Sequence, residues 1–204
     1  GAGPPAESLA AHGPPPSVVV FAWPNGAGKT TVAPAMLRDV LGVHEFVNAI
    51  AAGLSGFAPE RSAFAAGRIM MERLRALAAA GETFAFETTL ATRSFAPWLR
   101  GLRRSGYRVQ LTFLWLPNAE QAARIAQRVL DGGHDVPPEV VRRRYRRGLA
   151  NFLGIYRQIA DEWTFYDASR DLELIAQKTD IDGETIVAPR RCNQVVETPD
   201  GTGC

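Results

Sequence analysis

The segment VVVFAWPNGAGKTT, residues 18–31, constrains the chain most. Four β-branched or aromatic residues in a row suit a strand buried on both faces. A turn-rich stretch from Pro24 to Gly28 follows, and Lys29-Thr30-Thr31 opens a helical pattern that runs to Leu41 before Gly42. A glycine-rich loop between a strand and a helix N-terminus points its backbone N–H groups inward and cradles phosphates. In that geometry Asn25, Gly26, Ala27, Gly28, Lys29, Thr30 and Thr31 form the nucleotide-binding loop. Lys29 reaches the β- and γ-phosphates, and the Thr30 hydroxyl ligates Mg²⁺. Composition sharpens the point. Of the 23 basic residues only Lys29 and Lys178 are lysines, so an arginine-rich chain keeps one lysine inside its glycine-rich loop.

The loop departs from G-x-x-x-x-G-K-[ST] at one place: Trp23 stands where the first glycine belongs. If that position requires a positive φ, a bulky residue there costs ~1–3 kcal/mol of strain.

Along the rest of the chain strand and helix patterns alternate. Strands are expected at 45–48, 83–86, 107–116, 162–166 and 172–178, and helices at 59–80, 94–104, 118–130 and 137–160. Alternation of this kind implies a mostly parallel central sheet with right-handed crossovers. The expected fold is an α/β, P-loop three-layer sandwich with a mostly parallel central sheet. Residues 1–16, rich in Pro, Gly and Ala, read as a flexible leader, 17–190 as the P-loop domain, and 191–204 as a flexible tail.

A net charge of +2 excludes bulk basicity as an argument for nucleic acid, and no apolar run approaches the ~20 residues of a membrane helix. Cys192 and Cys204, both near the C-terminus, have no metal-binding spacing. They fit a reducing, cytoplasmic setting, and no secretory leader is expected.

Several further motifs accompany the loop: GLS at 53–55, AGR at 66–68, FAFETTL at 84–90, FLWL at 113–116, Arg128 with Gly132-Gly133-His134, RRRY at 142–145, and Tyr166-Asp167 with Ser169. In this order, over about residues 18–178, the chain resembles the zeta toxin family of P-loop kinases. The resemblance implies that residues 17–190 are a P-loop kinase-like domain with a helical lid, a kinase that transfers the γ-phosphoryl of ATP, with Mg²⁺, to a hydroxyl of a nucleotide sugar such as UDP-N-acetylglucosamine. It also implies an antitoxin protein as partner, with no role for nucleic acid or a membrane.

By the same resemblance Glu87 grips the acceptor, and Arg124 and Arg128 offset charge at the transferred phosphoryl group; Thr88 and Thr89 are placed to add hydroxyl contacts, and Asn48 to line the acceptor side. Two helical residues four apart share a face, which suits that pair of arginines. His134 is expected as a feature of the lid loop, and Asp167 and Ser169 near the adenine, where Ala168 replaces a family Asn. The family's strand after the first helix ends Asn-Ala-Asp, with the Asp as base. Here Asn48-Ala49 is followed by Ile50, and no carboxylate occurs between Glu45 and Glu60. Glu87 is then the nearby carboxylate able to serve as base. Inserting Asp after Ala49 together with Trp23→Gly is expected to raise activity if these departures limit it. The alternative is a degenerate, non-catalytic nucleotide-binding or antitoxin-binding module.

The helix at 137–160 carries Val141, Tyr145, Leu149, Phe152 and Tyr156 on one stripe and five arginines on the opposite arc of about 200°. That arc suits a solvated outer face or phosphate contact by Arg143 or Arg144. Nucleic-acid binding fits less well, because no aromatics interleave with the arginines.

Overall fold

The computed structural model describes residues 14–23, 45–47, 60–123, 137–169 and 172–196. In chain order these form β1 (Ser17–Ala22), β2 (Glu45–Val47), α1 (Glu60–Ala79), β3 (Phe84–Thr88), α2 (Phe95–Arg104) and β4 (Arg108–Trp115). They continue as α3 (Pro138–Asn151), a π-helical turn (Phe152–Tyr156), α4 (Arg157–Ile159), β5 (Glu162–Asp167), β6 (Glu173–Thr179), β7 (Gly183–Ile186) and α5 (Pro189–Val196).

The seven strands lie in the order β2-β3-β1-β4-β5-β6-β7. The first five pair in parallel, while β6 and β7 add an antiparallel edge. β1 therefore stands between β3 and β4, with Phe21 level with Glu87 on one side and Thr112 on the other. The change in strand order around β1 makes its carboxyl end the ligand-binding edge expected of an open α/β sheet.

Strand periodicity divides the residues of β1 between two faces. Val18, Val20 and Ala22 join Phe84, Phe86, Leu74 of α1, Leu99 of α2 and Leu149 of α3 in the main core. Val19, Phe21 and Trp23 face the other way and pack with Ala85 and Leu114. Burying each large apolar side chain contributes about 1.5–3 kcal/mol, so both faces of β1 favour its central place.

The helix expected at 137–160 is a continuous helical run interrupted by the π-turn. There Phe152 stacks on Phe113 at 4.5 Å and meets Trp163 edge-on at 5.9 Å. The wider turn lets Phe152, Leu153 and Tyr156 all be buried.

The C-terminal part differs from expectation. β7 and α5 follow β6, and Cys192 and Val195 of α5 are buried in the core. The boundary at 190/191 thus falls inside a helix, and residues 191–196 are not a loose tail. An eight-residue amphipathic segment gains its order from docking, which its own polar composition does not reveal. Cys192 is disulfide-bonded, so cysteine usage no longer argues for a reducing compartment. Among the described residues no helix is long and apolar enough to cross a membrane.

Candidate active site

The site is built on the carboxyl ends of β1 and β3. Glu87 and Thr88 close β3, and the backbone N–H of Trp23 donates to the Thr88 carbonyl at 3.3 Å as the chain leaves β1. Trp23 thus prolongs the parallel pairing by one residue. Among the described residues the positive-φ non-glycine is Leu90, so the strain considered for Trp23 is absent. This is a correction: the residue behaves as the last core position of a strand.

Its indole Nε1–H donates to Glu87 Oε1 at 2.8 Å. Both side chains are buried, Trp23 2% and Glu87 7% exposed. Period-2 alternation explains the meeting, because Phe21 and Trp23 share a sheet face with Ala85 and Glu87. The indole also packs against Phe21, with ring centroids 5.9 Å apart. A hydrogen bond of this length fixes the side chain's orientation.

The turn after β3 is held as firmly. Thr88 Oγ1 accepts from the Leu90 amide at 3.1 Å and Thr89 Oγ1 from the Ala91 amide at 3.4 Å. Leu90 adopts φ 52° and is fully buried. Such a conformation is costly for a branched side chain and persists where neighbours impose it. Those neighbours lie on α3 and the π-turn. Asn151 Nδ2 donates to the Leu90 carbonyl at 2.8 Å, and its Oδ1 accepts from Arg93 Nε at 3.2 Å. Tyr156 OH donates to the Thr92 carbonyl at 2.7 Å. Gly148 lies so close that a Cβ there would stand 2.3 Å from the Thr89 carbonyl oxygen. On the other side of β1, Tyr145 OH donates to the Leu116 carbonyl just past β4.

The sequence singled out Glu87 and Thr88, and the structure puts both at this edge. It missed Trp23 as a partner of Glu87, as well as Asn151 and Gly148. A glycine and an asparagine beside a helix's apolar stripe were the available signal, since each is a poor helix former that needs a packing or bonding reason. The loop residues Asn25, Gly26, Ala27, Gly28, Lys29, Thr30 and Thr31, together with Asn48, Arg124, Arg128 and His134, lie outside the described residues. The frame around them fits a phosphate loop: β1 delivers the chain to the carboxyl edge between two parallel neighbours.

Asp167 stands at the end of β5, 1% exposed. The Ser169 amide donates to its Oδ1 at 2.8 Å, and Arg191 of α5 lies 3.4 Å from its Oδ2. It ties the strand end to the C-terminal helix. Among the arginines of α3, Arg142 pairs with Glu120 at 2.6 Å.

Residues 18–152 match the family of AAA domains. No curated protein sequence matches the chain. Among solved structures, the chain is similar to one from the PezAT chromosomal toxin–antitoxin system of Streptococcus pneumoniae, with 18% identity, a TM-score of 0.60, and coverage of 85% of this chain and 75% of that one. It is similar to the AvrRxo1-ORF1:ORF2 complex with ATP at 15% identity and TM-score 0.63, over 88% of this chain and 63% of that one. A third, the Pnkp1/Rnl/Hen1 RNA repair complex, aligns at 10% identity and TM-score 0.55, over 74% and 49%. The chain spans less than two thirds of the last two. It belongs to the AAA-domain family and has the P-loop kinase fold of zeta-toxin-like proteins.

Proposed function

We propose that the chain is a phosphotransferase that binds ATP and Mg²⁺ on residues 25–31 and phosphorylates a hydroxyl of a nucleotide sugar, as the toxin of a toxin–antitoxin pair. The observation that carries this reading is a buried carboxylate, Glu87, held at 2.8 Å by Trp23 on the ligand-binding edge of the sheet. ATP supplies the transferable phosphoryl group when bound. The chain's own part is to place charges around it. Lys29, with Thr30 on the metal, neutralises the phosphate oxygens, and Arg124 and Arg128 offset charge in the transition state. Glu87 accepts the proton of the acceptor hydroxyl, the role left open by the absence of Asp after Ala49. Thr88 and Asn48 line the acceptor side. The PezAT and AvrRxo1 likenesses support a protein partner and a nucleotide ligand.

The same hydrogen bond favours a second reading, a nucleotide-binding or antitoxin-binding module without turnover, because the indole already occupies one Glu87 oxygen. Phosphorus NMR of the chain with ATP, Mg²⁺ and UDP-N-acetylglucosamine separates the two. A new phosphoester resonance alongside ADP, lost in Lys29→Ala and Glu87→Gln, is expected for the kinase. ATP binding by calorimetry that Lys29→Ala abolishes, with no new resonance from any nucleotide sugar, establishes the second reading.

A further inference from the structure

The C-terminal helix α5 is short, polar in composition and yet docked. A helix of eight residues does not hold its shape alone. Its order comes from packing: Cys192 and Val195 are buried in the main core. The chain is pinned just before it, where the Ile175 carbonyl of β6 accepts from the Val187 and Ala188 amides at 2.8 and 2.9 Å.

α5 in turn holds the end of β5. Arg191 Nε lies 3.4 Å from Asp167 Oδ2 and donates to Glu173 Oε2 at 3.3 Å. One guanidinium thus bridges the last residue of β5 and the first of β6. Asp167 is almost fully buried, and among the described residues its Oδ2 has no hydrogen bond. A carboxylate so placed relies on its cation, because breaking a buried pair leaves an uncompensated charge. β5 runs parallel to β4, β1 and β3, so Asp167 stands on the same carboxyl edge as Glu87 and Thr88.

The residue after Arg191 carries the control. Cys192 is disulfide-bonded, and Cys204 is the chain's other cysteine. The bond closes residues 192–204 into a ring. A ring has fewer undocked conformations than an open chain, so docking α5 costs less entropy while the bond is intact.

We infer that this disulfide is a redox latch. Oxidised, it keeps α5 on β6 and Arg191 on Asp167; reduced, it lets α5 leave and opens the end of β5 to water. A dithiol drives the release: the S–S bond breaks, the reductant's two sulfurs join as a disulfide, and its two electrons and two protons leave two cysteine thiols. The inference goes beyond the phosphotransfer reading and does not depend on it.

The test is limited trypsin digestion of the full chain, followed by mass spectrometry, with and without dithiothreitol. The bonds after Arg190 and Arg191 lie on α5. Reduction should speed their cleavage about tenfold or more. Cys204→Ser should be cut at that faster rate under both conditions. Cleavage after Arg143 and Arg147 of α3 should keep its rate, which separates local release from unfolding of the whole chain. Hydrogen exchange gives a second readout: uptake over residues 167–169, where the Ser169 amide donates to Asp167 Oδ1, should rise on reduction while β4 stays protected. Equal cleavage of α5 in both redox states overturns the inference, as does an equal rise in cleavage of α3. Alkylation of both cysteines before any reductant is added, or a disulfide-linked dimer, overturns it as well.

Discussion

Replacing Trp23 by glycine brings the loop into line with the phosphate-loop pattern, and the sequence alone recommends the change. The structure gives it the opposite sign. The side chain is 2% exposed, packs with Val19, Phe21, Ala85 and Leu114, and donates to a buried carboxylate. Truncating a buried tryptophan costs about 3–5 kcal/mol. Leaving Glu87 without this donor adds about 1–3 kcal/mol. Glycine in an extended segment adds roughly 0.5–1 kcal/mol through unfolded-chain entropy. The total is roughly 4.5–9 kcal/mol, against a stability of ~5–15 kcal/mol for an ordinary domain. Trp23→Gly should therefore be largely unfolded near room temperature or close to it. Trp23→Phe keeps most of the apolar contact and loses the donor, so it should cost about 1–3 kcal/mol. Urea unfolding followed by far-UV circular dichroism measures both without relying on the fluorophore removed. A Trp23→Gly protein within ~1 kcal/mol of the parent would refute the argument, since neither the packing nor the bond could then carry the weight assigned to it.

Two further outcomes follow from the segment after β3. Gly148→Ala gains up to ~1 kcal/mol of helix propensity but drives a methyl group to 2.3 Å from the Thr89 carbonyl oxygen, so it should destabilise by about 2 kcal/mol or more; a raised melting temperature would contradict this. Burial pushes the Tyr156 hydroxyl up to about 12. The folded chain thus holds that proton more tightly than the unfolded one, where tyrosine titrates near ~10. Its contribution is complete below that pH and is lost as pH rises from ~10 towards 12. Urea midpoints measured from pH 9 to 11.5 should fall less steeply for Tyr156→Phe than for the parent, and parallel slopes would count against the assignment.

The strand–helix alternation was legible because β1 and β3 carry apolar runs, β4 alternates before ending in Phe113-Leu114-Trp115, and α1 repeats Met70, Leu74 and Leu77 at helical spacing. β7 was not. Its four residues are all exposed, and the strand exists only through its ladder with β6, a tertiary cause with no trace in periodicity. The π-turn escaped for a related reason: it answers to the rings of Phe113, 39 residues earlier, and Trp163 on the following strand. In the site, Glu87 stood out as a carboxylate ending a strand. Trp23 was read as a flaw in a loop because its partner lies 64 residues away. Local spacing reports what a segment prefers; it does not report which side chain from another strand will complete it.

The hydrogen bonds of Tyr145, Asn151 and Tyr156 moor one rod to both banks of the sheet's carboxyl edge, on either side of β1. Neither bank can then shift alone. A displacement that begins at the turn beyond β3 is transmitted along the rod to the turn beyond β4, so the two turns move together.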